Sequence, residues 1–324
     1  MGFAERKELI ALLILVAIVG VFLLFPKKTE APFGTYSPKK DSVHLLFVGD
    51  TFFDRSVRQV GETKGYDFLL SCVKDRFLSY DAVVANLEGP ITDNPSVSIG
   101  SVVGSPENYT FTFAPEVAGL LKRHNVTIVS LGNNHISNQG VVGVTQTEKY
   151  LQAAGVDYFG GVAEIGGYRA ETGEPVFRTY MKEQNFSFIA FNEFGGSPAE
   201  FVAEQIRSEK AEGRTVIVFA HWGEEYIGVP ARVKAAAKLF ADSGADLIVG
   251  SHPHVVQEHE MIGDTPVYYS LGNFLFDQFW TPEVRSGLAL DVTFQKGKVT
   301  SIKELKTEML SDRRVCVGGD LPQE

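Results

Sequence analysis

Six short apolar runs of this chain each end in side chains that can bind a metal ion, and their last residues read GD, NLE, GNNH, HWG, GSHPH and SLGN. The runs occupy residues 45–50, 82–88, 127–135, 216–221, 247–254 and 267–273. Carboxylates, imidazoles and an amide are typical ligands of a metal centre. In open α/β sheets, ligands bind in the crevice outside the carboxyl ends of the strands. The pattern therefore predicts a metal-dependent enzyme whose site lies at strand ends.

Taken singly, most of these clusters have an ordinary structural explanation. Asp50 could cap the next turn, Glu88 could be a loop carboxylate, and His221 could be a buried or surface histidine. Two consecutive asparagines, as at 133–134, can mark a left-handed turn. The segment His252-Pro253-His254 is the most specific signal, because the proline shapes the backbone and could aim both imidazoles at one site. We interpret the set as one site because the ordinary explanations would have to hold at every strand end.

The composition allows a large core and argues against one class of partner. Apolar residues make up 44% of the 324 residues, with 24 Phe and 11 Tyr. The formal net charge is −10; the first 28 residues carry four basic and two acidic side chains, so the remainder carries −12. Because an acidic domain repels a phosphate backbone, we expect no nucleic-acid partner.

The amino-terminal region predicts a membrane anchor. After a short tail (1–8), residues 9–25 are apolar and uncharged, which is the short end of the length that spans a bilayer. The following FPKKTE is a poor cleavage site, so we expect an uncleaved signal-anchor and not a cleaved signal peptide. Residues 26–42 are rich in Pro, Lys and Ser and predict a linker.

From residue 43 onward, strand-like runs alternate with helical patterns, and we predict one domain over 43–308 followed by a loose tail (309–324). The predicted helices cover 65–80, 115–124, 143–154 and 230–243. Residues 94–112 predict an inserted loop or hairpin, 185–194 a strand, and 288–294 with 299–307 a terminal hairpin. The alternation favours a single α/β domain built on two sheets. The two cysteines, Cys72 and Cys316, lack a metal-binding spacing; we expect free buried thiols, with one disulfide as the alternative.

The order of the six clusters closely resembles the capsule-synthesis CapA family. This family is a branch of the calcineurin-like metallophosphoesterases and is associated with poly-γ-glutamate capsule production. The resemblance covers roughly residues 43–295 and rests on the combination of NLEGPIT, NNH, HWG and SLGNFLFDQ. It implies an α/β fold, a four-layer α/β/β/α sandwich with a two-metal cleft between the sheet ends, following an N-terminal transmembrane helix.

The resemblance also implies a role for each site residue. Glu88 would bridge two divalent metal ions, of which one or both would be bound, with manganese, iron or zinc the expected elements. The other ligands of one ion would be Asn134, His221 and His252. The other ligands of the second ion would be Asp50 and His254. His135 would be the general acid or would stabilise developing charge, and the residues gripping an anionic substrate would be Arg55 and Asn273.

Two positions depart from the family pattern. The wider superfamily begins Asp-x-His and thereby supplies a further metal ligand, whereas Phe52 stands at that position here. The family pattern commonly continues NNHxxD, whereas Asn138 stands where Asp is usual. We therefore expect a poorer ligand set around Asp50 and an altered orientation or pKa of His135.

The resemblance implies a membrane-anchored CapA-like protein, with an extracytoplasmic metallophosphoesterase-type domain that acts in synthesis or attachment of an anionic cell-surface polymer such as poly-γ-glutamate. Its implied partners are the membrane, an anionic polymer or phosphoester substrate, and membrane proteins of polymer synthesis. Two alternatives stay open: a general metal-dependent phosphatase or phosphodiesterase, and a non-catalytic polymer-assembly subunit. Fold analogy does not choose among them.

Overall fold

A computed structural model describes residues 41–160, 164–165, 168–169, 176–195 and 197–318. The predicted anchor (9–25) and the linker up to residue 40 lie outside these residues. Within the described part of the chain, no helix is long and apolar enough to cross a membrane.

The described residues form strands and helices that alternate through most of the chain. The strands are β1 (Ser42–Thr51), β2 (Ala82–Leu87), β3 (Val126–Ser130), β4 (Asp157–Phe159), β5 (Glu164–Ile165), β6 (Tyr168–Arg169), β7 (Val176–Met181), β8 (Gln184–Asn192), β9 (Thr215–His221), β10 (Leu247–Ser251), β11 (His259–Ile262), β12 (Thr265–Tyr268), β13 (Asn273–Leu275), β14 (Ser286–Gln295), β15 (Lys298–Met309) and β16 (Val315–Val317). The α-helices are α1 (Arg55–Lys64), α2 (Lys74–Phe77), α3 (Glu116–Arg123), α4 (Gly140–Ala154), α5 (Ala199–Ala211), α6 (Ala231–Asp242) and α7 (Pro282–Arg285).

Two large sheets contain most of these strands. The first has the order β16-β15-β14-β1-β2-β3-β4, with β13 also paired to β1, and the second has the order β11-β12-β10-β9-β8-β7. β1 to β4 run parallel to one another, as do β8, β9, β10 and β12. Antiparallel strands flank each parallel block. The prediction of a mixed α/β fold built on two sheets is confirmed.

Three hydrophobic cores order the sheets and helices into layers. Leu45 and Phe47 of β1 pack between the sheets with Phe219 of β9. Leu46 and Val48 belong to a different core, between the first sheet and α1 to α4, because successive side chains of a strand point to opposite faces. The outer face of the second sheet packs against α5 and α6. The resulting order is helices, sheet, sheet, helices.

The prediction of free thiols is wrong: Cys72 and Cys316 form a disulfide. Cys316 lies in β16, which pairs with β15, and the neighbouring Val315 N–H donates to the carbonyl of Leu69. The folded part therefore extends to at least residue 318, ten residues beyond the predicted domain end. The expectation of a loose tail fails because β16 is buried at the sheet edge and covalently tied to the helical side.

Helix and hairpin predictions are confirmed for α3, α4, α6 and the pair β14 and β15. The predicted helix over 65–80 is instead a 3-10 turn (Tyr66–Phe68) followed by the short α2. Gly65, with a φ of 85°, caps the end of α1 and separates α1 from this turn. Residues 94–112 form a loop with a 3-10 turn (Pro106–Tyr109) and not a hairpin. Neither α1 nor α5 was predicted.

Candidate metal centre

The carboxyl ends of parallel strands from both sheets bring the six sequence clusters together. In the first sheet, Asp50 of β1 is in register with Asn86 of β2 and with Asn273 of β13. In the second sheet, His221 of β9 is in register with Ser251 of β10. The remaining candidates follow directly after strand ends: Glu88 after β2, Asn134 and His135 after β3, and His252 and His254 after β10.

Two glycines permit this close approach of the backbones. A Cβ added to Gly49 would lie 1.9 Å from the carbonyl oxygen of Gly272. A Cβ added to Gly250 would lie 2.0 Å from the carbonyl oxygen of Tyr269. The packing of neighbouring strands therefore requires the glycines in GD and GSHPH. Asp50 directly follows the first glycine, and His252 lies two residues after the second.

Six buried or partly buried side chains surround one point between the sheet ends. Two groups have ligand atoms within 4.8 Å of one another and could each hold a metal ion: Glu88, His221 and His252, and Asp50, Glu88 and His254. Glu88 is common to both, with Oε1 4.0 Å from Nε2 of His221 and 3.9 Å from Nε2 of His254. Oδ1 of Asn134 lies 2.9 Å from Nε2 of His221. The geometry thus gathers every residue that was proposed as a metal ligand.

The polar atoms of Glu88 make this centre fit a cation. The side chain is fully buried, and neither carboxylate oxygen has a hydrogen-bond partner in the described structure. Burial, and then the nearby charge of Asp50, raise the pKa of Glu88 well above its ordinary value. Because burying an unpaired carboxylate is costly, a positive ion between the carboxylate and the histidines would satisfy it. Nδ1 of His252 is likewise buried without a partner.

The pKa of Asp50 is lowered, in contrast to that of Glu88. Burial by itself would raise its pKa, but the hydrogen bond and the charge of His254 outweigh burial and hold the pKa well below the ordinary range. The Asn86 amide donates to Oδ1 at 2.7 Å, and the His252 backbone N–H donates to Oδ2 at 3.1 Å. Asp50 is therefore ionised and firmly held.

Burial keeps two of the histidines neutral. It lowers the pKa of His221 well below the ordinary value and, together with the charge of His254, lowers the pKa of His252 to about 4. Neutral imidazole is the form that binds metal ions. His252 and His254 have φ angles of 98° and 59°, so the backbone of this segment is locally strained.

A second group of polar residues orients the candidate ligands, and sequence reasoning did not single it out. Asn133 donates to Asn86 at 3.1 Å, Asn192 donates to the Asn133 carbonyl at 3.0 Å, and Ser251 lies 2.9 Å from Nδ1 of His221. Asn192 and Ser251 end buried strands, and Asn86 is the last residue but one of β2, so the rule that found the ligands could have found them.

Asn273, which was predicted to grip an anionic substrate, contacts His254. Its Oδ1 lies 2.9 Å from Nδ1 of His254, and its amide nitrogen donates to Gln278 and to the Val284 carbonyl. The side chain is buried, and both of its polar ends are engaged. This arrangement favours orientation of His254 over the predicted contact with substrate.

The guanidinium of Arg55 and the imidazole of His135 both lie against the ring of Phe111. The guanidinium lies 5.1 Å from the Phe111 ring centre, and the His135 ring centre lies 4.1 Å from that of Phe111. Arg55 also pairs with Asp277 at 2.6 Å. The predicted anion-binding arginine is therefore close to the centre, but a carboxylate already offsets its charge.

The two departures from the family pattern have clear local structures. Phe52 is fully buried and stacks on Phe276 with ring centres 4.4 Å apart. Oδ1 of Asn138 accepts the Phe111 backbone N–H at 2.8 Å and lies 3.0 Å from Nδ1 of His135. Since an N–H must donate to oxygen, the amide oxygen faces His135 and the ring donates through Nδ1. Burial lowers the pKa of His135 to about 4, against the opposing effect of its hydrogen bonds to Asn138 and to the backbone of Tyr109.

Comparison with known proteins shows the family of this chain. The family of the bacterial capsule synthesis protein PGA_cap matches residues 44–278. The PGA biosynthesis protein CapA of Bacillus subtilis (strain 168) is 30% identical over 294 residues, which cover 86% of this chain and 74% of that protein. The capsule biosynthesis protein CapA of Bacillus anthracis is 28% identical over 288 residues, which cover 85% and 69%.

One solved structure supports the fold. A hypothetical protein from Thermus thermophilus has a TM-score of 0.51 and 17% sequence identity, and the match covers 82% of this chain and 99% of that chain. That likeness concerns the fold alone. The sequence match, in contrast, spans most of the chain and includes all six clusters, and on this basis the chain belongs to the bacterial capsule synthesis protein PGA_cap family.

Proposed function

We propose that this chain is a membrane-anchored, metal-dependent hydrolase of the phosphoesterase type that acts in synthesis or attachment of an anionic cell-surface polymer such as poly-γ-glutamate. The observation that carries the metal-dependent part is Glu88. Its carboxylate is fully buried without a hydrogen bond and lies about equally far from His221 and His254. The names of the Bacillus relatives support the role in polymer synthesis.

The chain offers two unequal places for divalent ions of manganese, iron or zinc. One has the donors of Glu88, Asn134, His221 and His252. The other has Asp50, Glu88 and His254, with Phe52 where the superfamily supplies a further ligand. When bound, such ions lower the pKa of water and stabilise the attacking and leaving oxygens of a displacement. We expect the first place to bind its ion more tightly because it has one more donor.

The surrounding residues orient the candidate ligands and His135. Asn86 and the His252 backbone fix Asp50, and Ser251 fixes His221. Asn138 fixes the ring of His135 through Nδ1. From this fixed orientation His135 would act as the general acid or stabilise developing charge.

A metal-activated water could attack either a phosphoester or the amide bond of a polymer. The general phosphatase or phosphodiesterase alternative uses the same centre without a capsule role. A deletion strain separates these hypotheses. The capsule role predicts that the deletion strain loses surface polyglutamate, that the wild-type chain restores it, and that His221→Ala does not. Unchanged polymer in the deletion strain would contradict this role.

Metal analysis and activity of the full chain test the catalytic proposal. Wild-type protein should contain divalent metal and hydrolyse bis-p-nitrophenyl phosphate, whereas His221→Ala and Glu88→Gln should lose both. His259→Ala is the matched control, because His259 is a histidine whose side chain is 54% exposed. A metal-free wild type, or activity that is unchanged in His221→Ala, would contradict the hydrolase and favour the non-catalytic assembly subunit.

We also propose that residues 9–25 anchor the chain and that the folded domain lies outside the cytoplasm. The disulfide supports this location, since disulfides persist in oxidising compartments. Protease added to intact cells should digest the domain, and a protected domain would overturn the assignment.

A further inference from the structure

A cavity of about 720 Å³ lies next to the candidate metal centre. Its walls come from residues 226–229 after β9, residues 255–258 after β10, and α7 with the residue that follows it. This volume is within the range of sites for small ligands. None of the roles assigned so far uses it.

Two lining residues place the cavity beside the metal centre. Val255, which lines the cavity, directly follows His254. Tyr226, another lining residue, stacks on His254 with ring centres 6.0 Å apart and accepts a hydrogen bond from Gln278 at 3.1 Å. A group attached to a substrate at the metal centre would therefore reach the cavity past Tyr226.

The wall of the cavity is held in place by hydrogen bonds. The Gln257 amide donates to the carbonyl of Ile227 at 2.8 Å, and the Tyr226 N–H donates to the carbonyl of Pro253 at 2.9 Å. These bonds join the segment after β9 to the segment after β10. The cavity is thus formed before any ligand arrives.

The lining residues suit an uncharged apolar group. They include Ile227, Val229, Val256 and Pro282, whereas no Lys, Arg or His is among the described lining residues. The charged lining residues are Glu258, which pairs with Lys234 at 2.6 Å, and Glu283. An anionic polymer would meet two carboxylates here, of which Glu258 is offset by Lys234.

Large apolar side chains are also exposed at the mouth of the cavity. Ile227 is 50% exposed, Val256 40% and Tyr226 42%. Trp280, which is 63% exposed, packs edge-on against Tyr226 with ring centres 5.8 Å apart. Apolar side chains that are exposed together beside a reactive centre typically mark a binding surface.

On the basis of the proposed function, we propose that this cavity is a subsite for an uncharged, apolar group. This group, an alkyl chain or a ring, is attached to the phosphoryl end of the substrate. The metal centre would hold the charged end, and the cavity would select the neutral end. The substrate class is therefore an ester that joins a phosphoryl group to an apolar group.

The fluorescence of Trp280 measures this binding directly in the full chain. It is one of two tryptophans, and the other, Trp222, is fully buried. Titration with methylphosphonate, hexylphosphonate and phenylphosphonate compares the same charged end with different apolar groups. Hexylphosphonate or phenylphosphonate should bind at least about tenfold more tightly than methylphosphonate, because several apolar carbons are buried. The two arms distinguish an alkyl chain from a ring.

The variant Ile227→Asp places a carboxylate at the mouth of the cavity and should abolish the preference. Val142→Asp is the matched control, because Val142 is 68% exposed on α4 and does not line the cavity. Equal affinity for the three phosphonates, or a preference that survives Ile227→Asp, would overturn the subsite.

Benzyl alcohol and 1-hexanol separate this proposal from the proposed function. These alcohols carry no phosphoryl group, so they test the cavity independently of the metal centre. If an alcohol changes the Trp280 emission and Ile227→Asp abolishes that change, the subsite is supported. If at the same time no phosphonate binds, that failure counts against the phosphoesterase function and not against the subsite. No change with either alcohol or with the apolar phosphonates would overturn the subsite.

Discussion

Arg55 donates to Oδ1 of Asp277 at 2.6 Å, and the two residues are 222 positions apart in the sequence. The guanidinium also lies 5.0 Å from the Phe52 ring centre and 5.1 Å from the Phe111 ring centre. A cation beside a metal centre normally attracts the anionic part of a substrate. Asp277 neutralises part of that attraction.

We therefore predict that Asp277→Asn strengthens anion binding. The amide can still accept a hydrogen bond from Arg55 but carries no charge, so inorganic phosphate should inhibit the variant at a concentration about threefold to tenfold lower. Inhibition constants with bis-p-nitrophenyl phosphate measure this. Asp242→Asn, which removes a carboxylate from an exposed pair with Lys238, is the control. Weaker inhibition by phosphate would show that Asp277 does not offset Arg55.

Phe52→His should destabilise the domain, although it restores the residue type of the wider superfamily. Phe52 is fully buried against Phe111, Phe113 and Phe276, and an imidazole there would lose aromatic packing and bury polar nitrogens. We expect a loss of about 2–4 kcal/mol in the free energy of unfolding, measured with urea in chelator. Phe52→Leu, which keeps the site apolar, should lose less. Wild-type stability of Phe52→His would show that the position tolerates a polar ring.

Removal of the disulfide should cost about 2–5 kcal/mol of stability. The bond closes a separation of 244 residues, so the unfolded chain gains much freedom when it is absent. Urea unfolding of Cys72→Ser/Cys316→Ser measures the loss. Reductant should destabilise wild type by a similar amount and leave the double variant unchanged. Two titratable thiols in native, unreduced wild type would contradict the bond.

The stability of the domain should fall as the pH drops through about 6.5. Burial lowers the pKa of His124 below its ordinary value of 6.5, so the unfolded chain binds this proton more readily than the folded chain. The contribution of neutral His124 is therefore complete above the unfolded pKa and is lost below it. His124→Gln should show a shallower loss of stability between about pH 7.5 and 5.5 in urea titrations. Parallel curves for wild type and variant would exclude His124, and His259→Gln is the exposed control.

The strand ends were predictable because each is a local pattern: a buried apolar run followed by a polar cluster. Asp50, Glu88 and His221 follow that pattern. Parallel pairing brings Asp50 and Glu88 to one edge of the first sheet, and the packing of the two sheets brings His221 to them. The same pattern was present at Asn192 and Ser251, but their role depends on which neighbour they contact across the sheets. That information lies in tertiary packing.

Other features could not be predicted from local sequence. Nothing near Asp277 indicates that it pairs with Arg55, and the cysteine spacing alone does not decide between thiols and a bond. The α5 helix was missed because its buried side is narrow, with Val202, Ala203, Ile206 and Glu209 as its buried residues. Ser187 and Arg178 bind the carboxylate of Glu209 and allow its burial. A charged residue on the buried side interrupts the apolar spacing from which a helix is predicted.

The disulfide between Cys72 and Cys316 also makes the assembly of the domain depend on its last strand. Cys72 is synthesised before its partner, which follows 244 residues later. A chain that stops before β16 would keep Cys72 as an unpaired thiol that other oxidised proteins could capture. The bond therefore distinguishes molecules that extend through β16, in which Cys72 is paired, from shorter ones, in which its sulfur stays reactive.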